Sequence, residues 1–106
     1  MAKYMIQTSY DADGLKGLQK DKAAGRLAAA KAAVESVGGK FECLYWSMGE
    51  HDGLLIAELP DNATAAGLAM AVSASGLVRT KTTVLLTAEE LDKGLAKTVS
   101  YRAPGK

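Results

Sequence analysis

"KFECLYWSMGEHDGLLIAELPDN", residues 40–62, holds two β-forming runs separated by a short polar break. "KFECLYWSM" is rich in aromatic residues and "GLLIAEL" is almost wholly apolar, whereas "GEHD" between them carries the Gly and Asp that a tight connection needs. The stretch therefore predicts two consecutive antiparallel strands joined by a hairpin. Pro60, which has no N–H to give a ladder, ends the second. In the first strand Phe41, Cys43, Tyr45 and Ser47 alternate with Glu42, Leu44, Trp46 and Met48. Both sides are largely apolar, so the strand is expected to be buried on both faces.

Upstream, Tyr4, Ile6, Thr8 and Tyr10 fall on one side of an extended run and Met5, Gln7 and Ser9 on the other, which predicts a first strand. "DADG" breaks it and opens a helical region that Gly38 and Gly39 close. A single helix from Asp13 to Val37 would be roughly 36 Å long, too long for a domain of this size. The expectation is a short helix over 11–19 and a main helix over about 21–37, joined near Lys20 to Lys22, with Leu27, Ala30, Val34 and Val37 as its apolar stripe. Downstream of the hairpin, Asp61 or Asn62 caps a helix whose inner face is Ala65, Leu68 and Val72, and Gly76 stops it. "LVRTKTTVLL" reads as a fourth strand, and "TAEE" is a capping box that starts a last short helix bearing Leu91 and Leu95.

The order βαββαβ with a C-terminal helix is the ferredoxin-like α+β arrangement, in which two helices cover one face of a four-stranded antiparallel sheet. The second face is expected to display several of Leu44, Trp46, Met48, Leu55 and Leu59, a patch larger than monomers usually expose. The economical cover is a second copy, sheet against sheet, giving a dimeric α/β barrel with a two-fold interface. The alternative is that the last helix and tail fold back over it.

The chain has 106 residues and no linker-like stretch, so a single domain over residues 1–106 is expected. Thirteen Lys and Arg against twelve Asp and Glu leave a net charge of +1, which argues against a nucleic-acid or membrane partner. Cys43 is the only cysteine, which excludes an internal disulfide and suits a reducing, cytoplasmic location. No stretch reads as a signal peptide or approaches about 18 apolar residues.

The segments "YMIQTSY", "VESVGGKFECLYWSMGEHD", "AELPDN", "AMAVSASGLVRTKTTVLLTAEELDKGL" and "YRAPG" together resemble the GYD-domain family of small proteins of uncharacterised function. The resemblance spans nearly the whole chain and implies the same dimeric α/β barrel. Where the family motif has Gly, then Tyr beside Asp, this chain has Gly49, His51 and Asp52. A planar hydrogen-bonding ring is kept at the Tyr position and the phenolic hydroxyl is lost.

His51 is the only histidine, so it is the candidate catalytic acid or base, and Asp52 beside it has the chemistry of an orienting carboxylate. Adjacent residues on an extended chain point to opposite sides, however, so Asp52 is expected to orient something else. The simpler reading is a turn that Gly49 permits, with Asp52 bonding backbone and His51 at the barrel rim. Tyr10 and Tyr45 stand near strand ends where a cleft between sheet and helices would open, and they join His51, Asp52 and Arg79 as candidate ligand-binding residues. Arg79 and Lys81 alternate along the fourth strand, as an acidic ligand or a protected sheet edge would each require. Lys20, Lys22 and Arg26 cluster at the helix junction, either as an anion site or as a solvated surface. One His and one Cys do not make a transition-metal site in one chain and no phosphate-binding glycine loop is present, so the residues leave any cofactor unknown.

Three functional readings follow. The first is a dimeric module that binds a small apolar or weakly acidic molecule between sheet and helices. The second is a cofactor-independent enzyme, isomerase- or monooxygenase-like, with His51 moving a proton. The third is a structural or assembly protein.

Overall fold

Strand β1 (Ala2–Tyr10) runs through the middle of one four-stranded antiparallel sheet in a computed structural model that describes all 106 residues. Around it come α1 (Ala12–Ser36), β2 (Lys40–Trp46), β3 (Gly53–Leu59), α2 (Asn62–Ala74), β4 (Val78–Leu85) and α3 (Ala88–Leu95). The sheet order is β2-β3-β1-β4, so β1 pairs with β3 on one side and β4 on the other. This is the ferredoxin-like order expected from the sequence.

Helices α1 and α2 cover one face. Tyr4 and Ile6 of β1, Leu55, Ala57 and Leu59 of β3, Val34 of α1, and Ala65 and Leu68 of α2 form the buried core. The Tyr4 side chain is buried, yet its hydroxyl donates to Asn62 Oδ1 at the start of α2. That bond satisfies a donor which would otherwise be costly to bury. Asp61 caps α2 by accepting the Thr64 N–H at 2.8 Å. Leu68 and Ala65 point inward from α2 as the spacing predicts, whereas Leu27 of α1 faces outward and Ala33 takes its place beside Ala30, Val34 and Val37.

The second sheet face is not the one expected. Leu44, Leu55 and Leu59 lie on the helix side, because the β1–β3 register sets Leu55 opposite Ile6, and Leu44 of β2 sits opposite Leu55. Trp46 shares that side with Leu44, and Met48 lies fully exposed in the hairpin turn. The open face instead carries Met5, Cys43, Leu54 and Ile56, all half-buried, with Tyr45 exposed. A β-bulge causes part of the difference: Phe41 pairs with Ala57 and Cys43 with Ile56, so Glu42 is an extra residue. Phe41 thereby turns to the core, and Glu42 pairs with Lys3 at 2.8 Å, holding the ammonium pKa above its ordinary value.

Helix α1 is broken at Lys22, where φ is 65° and ψ is 167°, between the two helical pieces that the length argument predicts. This backbone region belongs almost entirely to glycine and costs a side-chain-bearing residue of order 1–3 kcal/mol.

Beyond β4 the chain leaves the body. A capping box closes α3, with the Glu90 carboxyl held below its ordinary pKa by the Thr87 N–H and hydroxyl. Still, every residue from Leu86 to Arg102 is exposed. The tail does not fold over the open sheet face. The radius of gyration is 16.9 Å and the long dimension 56 Å, against about 13 Å for the radius of a compact chain of this length. No helix is long and apolar enough to cross a membrane.

Replacing Lys22 by Gly is expected to relieve the strained φ and raise stability by about 1 kcal/mol, less the flexibility that Gly adds to the unfolded chain. Calorimetry would show this as a melting temperature about 4–8 °C higher; an unchanged or lower value would contradict the strained conformation.

Candidate functional site

The two faces of β1, in its C-terminal half, line two separate concave regions. The first lies between sheet and helices. It is a cavity of about 110 Å³, closed by Ile6, Leu44 and Leu55 from the sheet and by Ala29, Ala30, Ala33, Val34, Leu68 and Val72 from the helices. Alanines on α1 keep it open, because any longer side chain at Ala30 or Ala33 would fill it. Its few polar groups are the hydroxyls of Thr8, Tyr10 and Thr80 and the guanidinium of Arg26. Arg26 is the only charged residue on its wall, and Nη1 stands 3.6 Å from Asp21 Oδ2 just before the break at Lys22.

The second region is a polar hollow of about 170 Å³ on the open face, lined by Gln7, Ser9, His51, Arg79, Thr80 and Lys81. Alternation along β1 explains the separation, since Thr8 and Tyr10 point to the helices while Gln7 and Ser9 point away. His51 Nδ1 lies 3.2 Å from Ser9 Oγ, and which of them donates depends on the imidazole tautomer. Arg79 and Lys81 reach this hollow because β4 pairs Arg79 with Ser9 and Lys81 with Gln7.

The predicted candidates thus divide. Tyr10 lines the cavity between sheet and helices. His51 and Arg79 meet on the open face, and Tyr45, 69% exposed on that same face, lines neither region. Asp52 orients no imidazole. Its carboxylate accepts the Tyr10 N–H at 2.8 Å, its own N–H donates to Thr8 O at 2.8 Å, and its carbonyl accepts the Ser47 N–H at 2.8 Å. Ser47 Oγ adds a bond to the His51 carbonyl. Asp52 is therefore a clamp that ties the β2–β3 hairpin to the end of β1, with Gly49 at φ 131° making the turn possible. Of the Lys20, Lys22 and Arg26 cluster, only Arg26 reaches a cavity. The small-residue wall of α1 carries no signal of a cavity in the sequence, because an alanine-rich helix looks the same whether it packs tightly or leaves space. The Trp46 Nε1–H is buried with no acceptor.

The GYD domain matches residues 4–95. The chain belongs to the GYD-domain family. The match takes in all four strands, both cavity-forming helices and the hairpin that carries Gly49, His51 and Asp52. Among solved structures the chain is similar to the leucine response regulatory protein LrpA of Mycobacterium tuberculosis, with a TM-score of 0.54 and 17% identity. The likeness covers 82% of this chain and 51% of that one, so the chain spans about half the regulator's length and shares its fold. No curated protein matches the sequence.

Removing the Asp52 carboxylate by Asp52→Ala is expected to cost about 1–3 kcal/mol of stability, because the Tyr10 N–H loses its acceptor. His51→Ala is expected to change stability by no more than about 0.5 kcal/mol. Chemical denaturation of the two variants checks the ranking; equal losses would mean that His51 shares the clamp.

Proposed function

We propose that this GYD-domain protein is a small-molecule binding module that holds a compact, weakly acidic apolar ligand between its sheet and helices. The observation that carries this reading is the apolar cavity with one cation on its wall. Twelve of its fifteen lining residues are hydrophobic, so the interior rewards an apolar body, while Arg26 and three hydroxyls supply the few directional contacts such sites use. A volume of about 110 Å³, smaller than an engineered apolar cavity of about 150 Å³ that takes benzene, limits the enclosed part of the ligand to a short branched chain or part of one ring, with its carboxylate at the mouth. The carboxylate would exchange places with Asp21 at Arg26, gaining the paired hydrogen bonds that a guanidinium fork provides.

The module acts as a homodimer joined through the open sheet face. Met5, Leu54, Ile56, Cys43 and Tyr45 make an apolar centre there that none of this chain's helices covers, and two such faces are self-complementary about a two-fold axis. The single free cysteine on that face fits a reducing cytoplasmic setting.

A second reading, that of an acid/base enzyme, draws on His51 beside Ser9 in the hollow with Arg79 and Lys81. Its substrate would be an anion bound on the open face rather than in the apolar cavity. The third, an assembly role, draws on the exposed arm.

Nitrogen-15 NMR titration with benzoate, isovalerate and leucine, and with the neutral analogues benzyl alcohol and toluene, tests the binding reading. Leucine is included because the structural neighbour is named for its response to it. Benzoate or isovalerate is expected to shift the amides of Thr8, Ala30, Ala33 and Thr80. Ala30→Leu should abolish binding of every probe, and Arg26→Gln should weaken the acids and leave toluene unchanged. Shifts confined to Ser9, His51 and Lys81 would favour the second reading; no shift with any probe would remove the binding reading.

A further inference from the structure

The arm that follows β4 is built but unpartnered. A complete capping box closes the start of α3, and Leu91 and Leu95, four residues apart, form one apolar stripe. These two side chains are 50% and 72% exposed and touch no core. Three acidic residues against Lys93 alone make the helix negative; Glu89 pairs with Lys93 on the opposite face and Glu90 is held in the capping box, which leaves Asp92 as the free carboxylate beside the stripe.

A matching recess lies at the opposite end of β4. There the turn from α2 into β4 and the end of β1 enclose a cleft of about 440 Å³. Leu77, Val78 and Tyr10 give it apolar ground, and its two charged residues are Asp11, whose carboxylate accepts the Gly14 N–H as the cap of α1, and Arg79, which stands in no ion pair within the chain. Tyr10, Val78 and Thr80 belong both to this cleft and to the sheet–helix cavity, so the cleft adjoins the cavity's mouth.

A chain's own α3 cannot fill it. The arm roots at Leu86, and the length of β4, Val78–Leu85, separates that root from Leu77 by about 26 Å, whereas eight helical residues span about 12 Å. A second copy solves the distance. In a two-fold pairing of sheet faces that sets the two β4 strands antiparallel, the end of one β4 lies beside the start of the other.

We propose that α3 of each subunit seats in the α2–β4 cleft of a second copy, with Leu91 and Leu95 on Leu77, Val78 and Tyr10 and with Asp92, which flanks that stripe, facing Arg79, so that it closes the mouth of the partner's cavity. The inference rests on the sheet-face pairing proposed above and adds to it a reciprocal clasp that completes the ligand site.

Two charge-reversed proteins test it: Arg79→Glu in one, and Asp92→Lys in the other. Neither side chain is buried in its own subunit, so the folded body should persist, which circular dichroism checks. Sedimentation of the wild type should give a particle of about twice 11.0 kDa. Each reversed protein alone should dissociate at concentrations at least about tenfold higher, because like charges then meet, and an equimolar mixture should regain wild-type association. Leu91→Ser with Leu95→Ser should loosen the dimer and weaken benzoate binding without touching the cavity wall. A wild-type dimer whose stability neither reversal nor the serine variant alters, or a mixture that fails to recover, would overturn the clasp while leaving the sheet pairing in place. A wild type that stays at the mass of one chain at every concentration would overturn both.

Discussion

Alternation along β1 divides this molecule into two chemical compartments, and the other elements are arranged around that division. Tyr4, Ile6, Thr8 and Tyr10 point to the helices, where Tyr4 and Ile6 anchor the core and Thr8 and Tyr10 supply hydroxyls to the cavity. Gln7 and Ser9 point the other way, into the polar hollow with His51 and Arg79. Because β1 has partners on both sides, its register also sets the phase of β3 and β4. A slip of one residue would exchange the two compartments along the whole strand. The Asp52 clamp works against such a slip, since it holds the last residues of β1 through both Thr8 O and the Tyr10 N–H.

Most of the architecture is legible in the residues themselves because each boundary carries local chemistry. Pro60 ends β3, Asp61 and Thr87 cap their helices, and Gly76 with φ 75° closes α2. The break near Lys22 follows from a length argument rather than from a motif, and the residue itself offers no warning, since Lys seldom adopts such a φ. The faces of β2 were harder to read. Strict alternation groups Phe41 with Cys43 and Tyr45, but the extra residue Glu42 turns Phe41 to the core. Nothing local marks that bulge, because it depends on pairing with β3. For β3, an almost unbroken apolar run gives no polar residue to tell inside from outside, so only the partner strand decides that Leu55 faces the helices and Leu54 does not.

The candidate site was legible in its residue types and less so in its grouping. Tyr10 and Arg26 carry visible chemistry, yet they meet only because α1 crosses the sheet beside β1, and the space between them exists because Ala29, Ala30 and Ala33 are small. Absence of side-chain volume leaves no motif. The pairing of His51 with Asp52 illustrates the converse, a suggestive motif that the backbone pulls apart: the carboxylate goes to the Tyr10 N–H and the imidazole to Ser9.

The place of β1 has a bearing on how the chain reaches this state. Of the sheet's four strands the earliest in the chain stands in the interior, and one of its two neighbours, β4, follows the other three. Until residue 85 has emerged, one whole edge of β1 offers unpaired N–H and C=O groups to any passing strand. A nascent chain of this protein thus depends on prompt synthesis of β4, and α3, with its apolar stripe, emerges only after the strand that seals this edge.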